Sequence, residues 1–326
     1  MAILVTGGAG YIGSHTLIEL IEKGEEVVVI DNLSKGHKEA VQGGTFYQGD
    51  LRNDEFLDEV FKKNDIEAVI HFAADSLVGE SVADPLKYYN NNVLGTVKLL
   101  SKMKETGANK MVFSSTAAVY GEPENIPILE DDKTIPTNPY GETKLAVEKA
   151  LKWFKNAYGI KYVSLRYFNA AGAHISGKIG EDHNPETHLI PLVLQVALGK
   201  REEIKIFGDD YNTFDGSCIR DYIHITDLAN AHILAVERLR NKKESAIYNL
   251  GNSKGFSVKE VIEVAREVTG KEIKQVIGER RTGDPAVLVA SSERIKRELG
   301  WKPNFGELRN IVETAWKWHV EHPKGF

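Results

Sequence analysis

The chain has a single cysteine, Cys218, in 326 residues. An internal disulfide and a cysteine-based zinc site are therefore excluded, and a reducing compartment suits the protein. It also lacks a basic excess: 41 Lys and Arg against 47 Asp and Glu give a formal charge of −6, which provides no footprint for nucleic acid. Long hydrophobic runs are missing too. The longest, from Leu189 to Leu198, is interrupted by Pro191 and Gln195 and is too short to cross a bilayer. No leader is expected, because Met1 passes at once into the strand-like Ala2-Ile-Leu-Val5. Repeats, low-complexity tracts and a clear linker are absent. The expectation is a cytoplasmic protein with no metal, no nucleic acid and no membrane partner. Hydrophobic residues at 42% and charged residues at 27% are those of an ordinary globular chain, with core enough for one large unit or two closely joined domains.

In the first half, strand-like runs at 2–6, 26–31, 46–49, 68–72, 110–114 and 161–166 alternate with helical stretches near 11–23, 54–63, 84–106 and 140–158. This alternation predicts βαβ units and a parallel sheet with right-handed crossovers. The second half is less regular, with a Gly-, His-, Asn- and Pro-rich loop at 172–187 and helical stretches near 188–198, 226–240, 257–269, 291–299 and 305–320. The expected fold is α/β, a Rossmann-type doubly wound parallel sheet with a smaller mixed α/β C-terminal lobe. The first domain should span 1–170, rejoined by parts of 219–243, and the lobe 171–326.

Thr6-Gly-Gly-Ala-Gly-Tyr-Ile-Gly13 follows the first strand and opens the first helix. Gly7 can make the tight turn, Gly10 can admit a pyrophosphate, and Gly13 can let helix and strand pack closely. Tyr11 and Ile12 begin the helix whose amides would face the phosphates. Asp31, at the end of the second strand, can accept hydrogen bonds from an adenosine ribose and would repel a 2′-phosphate. Asn32 follows it. With no arginine from Asp31 to Gly36, NAD is favoured over NADP, although Lys35 leaves room for a phosphate. Asp50-Leu51 and Phe72-Ala73-Ala74 fall where βα loops would border adenine and pyrophosphate.

Tyr140-Gly-Glu-Thr-Lys144 puts a phenol and an ammonium one helical turn apart. A lysine held there can lower the phenol's pKa and let it take a proton from a sugar hydroxyl near neutral pH. The pair is weak alone, since 12 tyrosines and the chain's many lysines make about one such spacing by accident. Phe113-Ser-Ser-Thr116 ends an apolar strand in three hydroxyls, and Thr116 can reach both tyrosine and substrate. Ser114 and Ser115 can equally satisfy loop backbone.

Together, Gly7-x-x-Gly10-x-x-Gly13, Asp31, Asn91-Asn-Val-Leu-Gly-Thr96, Ser115-Thr-Ala-Ala-Val-Tyr-Gly121, Tyr140-x-x-x-Lys144 and Arg166-Tyr-Phe-Asn169 resemble the extended short-chain dehydrogenase/reductase superfamily. His71-Phe-Ala-Ala-Asp-Ser-Leu-Val-Gly-Glu-Ser81, Ala171-Gly-Ala-His174 and Arg220-Asp-Tyr-Ile-His224 are similar to its UDP-hexose 4-epimerase family, over the whole chain in order and spacing.

The resemblance implies NAD held as a prosthetic group and UDP-galactose interconverted with UDP-glucose by oxidation at C4, rotation of the 4-keto sugar and return of the hydride. It makes Tyr140 the proton acceptor, Lys144 the ribose ligand that stabilises phenolate, and Thr116 the partner of the reacting oxygen. Asn91, Ser114, Tyr167 and Phe168 would face the cofactor. Asn169, Arg220 and Arg281 would meet the diphosphate or sugar, Asp284 the uridine ribose, with Leu189 and Phe207 around the base. His188 stands where many members have asparagine, so its contact is left open. Leu288, smaller than the tyrosine of narrow-specificity members, implies that UDP-N-acetylglucosamine and UDP-N-acetylgalactosamine are alternative substrates. A homodimer is implied, with Val97, Leu100, Met103, Leu145, Leu151 and Phe154 as seam candidates and ordinary core packing as the alternative. Two rivals are weaker. A dehydratase would carry Asp-Glu after the cleft threonine, where this chain has Ala117-Ala118, and a non-catalytic NAD sensor would commonly lose the Tyr/Lys pair.

Overall fold

The computed structural model describes residues 1–281 and 285–326. Six strands occupy the expected runs: β1 (Ala2–Thr6), β2 (Val27–Asp31), β3 (Thr45–Gln48), β4 (Ile66–His71), β5 (Lys110–Ser114) and β6 (Lys161–Tyr167). A seventh, Ala246–Leu250, pairs with β6. Across the sheet the order is Ala246–Leu250, β6, β5, β4, β1, β2, β3, with every pair parallel. Because helices cover both faces, β1 and β2 are buried along their whole length and read as continuous apolar runs rather than alternating ones. The chain winds outward from β1 through β2 to β3, then returns to β4 on the other side of β1. That reversal leaves a crevice above the C-terminal ends of β1 and β4, where loops cannot close over each other.

On one face, helices Tyr11–Glu22 and Ile225–Arg240 pack Leu17, Leu20, Leu228 and Val236 against Val5, Val29 and Ile70. On the other, helices Asp54–Lys63, Gly95–Thr106 and Pro139–Tyr158 pack Leu57, Leu99, Met103 and Leu151 against Leu4, Val69 and Phe113. The stretch at 84–106 is one helical run with a wide turn inside it: α-helical Pro85–Tyr88, π-helical Tyr89–Leu94, then α-helical Gly95–Thr106. Helices Leu189–Ala197, Val258–Thr269 and Leu308–Glu321 enclose a separate core that includes Val193, Leu194, Ile262, Ile311 and Val312.

Two expectations change. The seventh strand lies beyond 219–243, and its polar Asn249 hides it from a hydrophobicity pattern. Asn249 is fully buried because it joins elements, accepting from the Tyr120 hydroxyl at 2.7 Å and donating to the Ile128 carbonyl at 3.1 Å. Among the seam candidates, Leu100, Met103 and Leu151 are core residues turned toward the sheet, and Leu145 is buried against Ala117 and Val119. Val97 is exposed, Phe154 is partly buried, and Leu86, Tyr89, Leu94 and Trp153 join Val97 on the outer surface.

One ion pair lies deep in this frame. Glu148, on helix Pro139–Tyr158, accepts from Arg166 of β6 through Nε at 2.9 Å and Nη2 at 2.6 Å, and from the Ser115 hydroxyl at 2.6 Å. Both side chains are almost wholly buried. Removing the carboxylate leaves a desolvated guanidinium without its counter-charge, so Glu148→Ala should lower unfolding stability by about 3–5 kcal/mol in urea titration. A change below about 1 kcal/mol would show that water or another acceptor reaches Arg166.

Candidate active site

The glycine loop runs from β1 into the first helix. Gly7 has φ +72°, and a Cβ there would sit 2.6 Å from the Ala73 amide nitrogen. A Cβ on Gly13 would stand 2.2 Å from the Gly7 carbonyl oxygen, so no side chain fits between helix and strand. Gly10, the N-cap of Tyr11–Glu22, has no side-chain capping partner, and its nearest neighbour to an added Cβ is 3.3 Å away. The loop thus leaves helix amides facing open space, as an anionic pyrophosphate requires.

Asp31 closes the adenosine end. Its two carboxylate oxygens accept from the Ala9 amide at 3.0 Å and the Leu33 amide at 2.8 Å, fastening the glycine loop to the end of β2. Burial pushes its pKa up, which those amides oppose. Asp50 is held by Arg52, from Nε at 2.8 Å, and by Asn32, from Nδ2 at 3.1 Å; this pairing keeps its carboxyl well below the usual range. The cleft between them has a volume of about 900 Å³. Gly7, Gly10, Tyr11, Ile12 and Gly13 border it at one end, with Asp31, Asn32, Asp50 and Leu51 beside them. Phe72, Ala73, Ala74 and Asn91 form the wall after β4, and Ser114, Thr116, Tyr140, Lys144, Tyr167 and Phe168 the far end. Tyr11 also donates its hydroxyl to the Gly172 carbonyl at 2.6 Å, tying the first helix to the loop after β6.

Helix Pro139–Tyr158 carries the reactive pair. Asn138 caps it, accepting from the Gly141 amide at 2.9 Å, and Pro139 takes the first position, where its missing N–H costs nothing. Gly141 has no room for a side chain: a Cβ would lie 2.7 Å from the Ala118 carbonyl oxygen. The helix therefore starts hard against the turn Ala117–Tyr120, which Thr116 caps by accepting from the Ala118 amide at 3.1 Å. The same Thr116 hydroxyl bonds the Tyr140 phenol and pulls its pKa down, but burial is the larger effect and leaves it raised. Lys144 donates to the Ser114 carbonyl at 2.8 Å, with Nζ 6.0 Å from the centre of the Tyr140 ring. Burial lowers the lysine to about 7. The protein alone thus does not lower the phenol's pKa as the spacing suggested, because desolvation of both groups outweighs their proximity. Added positive charge in the cleft would be needed to favour phenolate.

A second cavity of about 320 Å³ adjoins the first and shares Asn169, His188 and Arg220 with it. Leu189 and Phe207 line it, and the Arg281 guanidinium stacks over the Phe207 ring at 4.0 Å. Arg220 donates to the Ile219 carbonyl at 2.8 Å. Leu288 borders the larger cleft, packed against the cluster of Ala117, Val119 and Leu145. Asp284 lies outside the described residues.

The sequence reading passed over Asn92. This buried side chain accepts from the Asp75 amide at 2.8 Å and donates to the Thr143 hydroxyl at 3.1 Å, while Thr143 donates to the Tyr140 carbonyl at 2.8 Å. Its signal was the run of three asparagines, Asn90-Asn91-Asn92, at the π turn that rotates one of them inward.

A model of the NAD dependent epimerase/dehydratase family matches residues 3–251. The chain belongs to that family. Among its epimerase relatives, the UDP-glucose 4-epimerase of Halalkalibacterium halodurans is 64% identical, covering 100% of this chain and 98% of the other. Among solved structures, UDP-glucose 4-epimerase of Brucella ovis in complex with NAD aligns with TM-score 0.95 and 47% identity, over 97% of each chain. The enzyme of Bifidobacterium longum in complex with NAD+ and UDP aligns at 0.94 and 41%, over 100% of each.

The buried lysine gives this epimerase-family site a pH signature. Its pKa falls from about 10.4 in the unfolded chain to about 7 in the cofactor-free fold. Between those values the unfolded chain binds more protons, so stability rises with pH, and the burial penalty is fully present below pH 7. Lys144→Met should therefore gain most stability over wild type at or below neutral pH, with the difference shrinking toward pH 10 in chemical unfolding of the cofactor-free protein. A pH-independent difference would contradict a lysine pKa depressed by burial.

Proposed function

We propose that this chain is an NAD-dependent UDP-glucose 4-epimerase that interconverts UDP-galactose and UDP-glucose. The observation that carries this reading is the meeting of Tyr140, Thr116 and Lys144 at one end of a cleft whose other end is the glycine loop and Asp31, with an arginine-flanked cavity alongside. The residues fit NAD: Gly7 and Gly13 let the loop fold tightly on its own backbone and on Ala73, Gly10 borders the cleft without a side chain, and the capless helix start supplies amides. When bound, NAD supplies a cationic ring that favours phenolate and a reversible acceptor for hydride from sugar C4. Tyr140 takes the 4-hydroxyl proton and returns it. Thr116 holds the reacting oxygen beside the phenol, and Lys144 binds the ribose and adds positive charge. Ala117 and Ala118 place no acid where dehydration would need one.

Asn169, Arg220 and Arg281 anchor the diphosphate, with Leu189 and Phe207 about the uracil and Asp284 at the uridine ribose, while the hexose stays free to turn. Guanidinium suits this anchoring because its fork can bond two phosphate oxygens at once. We assign NAD to residues 1–170 with the returning sheet elements, and the nucleotide sugar to the 171–326 lobe. A cytoplasmic location accords with the lone Cys218, and no helix among the described residues is long and apolar enough to cross a membrane.

The purified protein, without added NAD, should convert UDP-galactose to UDP-glucose with no net change in NADH absorbance. Tyr140→Phe should retain bound NAD and lose about 10²–10⁴-fold in turnover. No conversion by the wild type would overturn the assignment. Parallel incubation with UDP-N-acetylgalactosamine tests Leu288, whose size leaves space for an acetamido group; no turnover there would restrict the enzyme to the simple hexoses.

The working unit in this proposal is a homodimer, joined through the apolar surface of Leu86, Tyr89, Leu94, Val97 and Trp153, all exposed. Trp153→Glu would place a charge in that seam. It should shift the mass measured by light scattering from two chains toward one, and an unchanged mass would remove Trp153 from the interface.

A further inference from the structure

Glu181-Asp-His183-Asn-Pro-Glu186-Thr-His188 has no part in the chemistry above. It lies in the loop between β6 and helix Leu189–Ala197, against the Tyr11 ring on the first helix, with ring centres of Tyr11 and His183 6.0 Å apart. Its four side chains each turn one donor atom to a common point, all within 4.8 Å of one another. Glu181 Oε1 stands 3.2 Å from His183 Nδ1 and 2.7 Å from His188 Nδ1. Glu186 reaches His188 Nδ1 at 3.3 Å with one oxygen and His183 Nδ1 at 3.8 Å with the other.

Not all of these close contacts are aligned as hydrogen bonds. Glu181 Oε1 and His183 Nδ1 are buried with no hydrogen-bond partner, although opposite polar atoms lie so close. The Glu181 side chain is only 4% exposed, so water does not replace the missing partner. Carboxylate oxygens and imidazole nitrogens that converge on one point suit either shared protons or a cation at their centre. A tetrahedral ion with donors at roughly 2.0–2.1 Å requires donor–donor edges of roughly 3.3 Å, close to the separations found here. Two carboxylates balance a dication when both imidazoles are neutral, and a set of two nitrogens and two oxygens is borderline in softness. The backbone fixes Glu186, whose Oε1 accepts from the Thr187 amide at 2.7 Å and the His188 amide at 2.8 Å.

The geometry points to a structural divalent metal site of the zinc type, formed by Glu181, His183, Glu186 and His188. The ion would pin the 181–188 loop between the first helix of the cofactor cleft and the start of helix Leu189–Ala197, beside the second cavity. His188 then faces the ion instead of serving as a substrate ligand. A second group, Glu19, Glu22 and His174, also converges. It carries no orphaned buried atom, and His174 Nδ1 is already bonded to Ser176 Oγ at 2.8 Å.

The test uses the full chain, stripped by chelator, dialysed and titrated with zinc chloride by calorimetry, with bound metal counted by elemental analysis. One zinc per chain is expected for the wild type and for His174→Gln, and none for His183→Gln/His188→Gln. Glu186→Gln, which keeps the side chain's size, should weaken zinc binding at least tenfold while leaving the circular dichroism spectrum unchanged. Cobalt(II) in the wild type should give the strong visible absorption of a four-coordinate ion. No uptake by the wild type, one equivalent retained by the double histidine variant, or six-coordinate cobalt absorption would each overturn the site.

Discussion

Glu148 and Arg166 are both withdrawn from water, and neither could stay there alone. Their pairing joins helix Pro139–Tyr158 to β6 at one rotation, because a two-point guanidinium–carboxylate contact fixes direction as well as distance. The remaining donors complete the arrangement. Arg166 Nη1 donates to the Tyr120 hydroxyl at 2.8 Å and the Glu130 carbonyl at 3.2 Å, and the Tyr120 hydroxyl in turn donates to Asn249 Oδ1 at 2.7 Å. The strand carrying Asn249 therefore belongs to the same network as the turn after Thr116. Tyr140 and Lys144 lie two turns and one turn before Glu148 on that helix, so that end of the cleft inherits its geometry from a buried ion pair.

A second constraint connects the two ends of the cleft. Asn92 holds the loop after β4 through Asp75 and the first turns of helix Pro139–Tyr158 through Thr143. The wall that borders the cofactor and the helix that carries the phenol thus share one buried amide. The wide turn at Tyr89–Leu94 is what points Asn92 inward while Asn91 keeps its place at the cleft. Close backbone contact does the rest: Gly13 on Gly7 and Gly141 on Ala118 are distances no other residue allows. These contacts fix the orientation of the Tyr140 helix against the wall after β4.

Much of this was legible in the residues. The glycine turn after β1 was legible because Gly7 takes a positive φ and Gly13 abuts the Gly7 carbonyl, reasons that lie within a few residues. The Tyr140/Lys144 spacing put both on one helical face. The electrostatics were not legible. Proximity suggested a lowered phenol pKa, but burial of the phenol and the ammonium dominates in the protein alone, and burial is a property of the packed whole. Apolar positions such as Leu100, Met103 and Leu151 were equally ambiguous, since a helix stripe that meets a sheet and one that meets a partner have the same period.

The sequence by itself determined the alternation of strands and helices, the glycine turn and the family resemblance, all of which depend on short-range spacing. Tertiary structure alone decided that Ala246–Leu250 completes the sheet, that Asn92 rather than Asn91 is the buried clamp, and that four donor atoms of the 181–188 loop face a single point. These outcomes depend on which distant groups share a desolvated space, and separation along the chain does not encode that. Tyr140 and Lys144 show both sides: their spacing placed them together, and their burial set the charge they carry there.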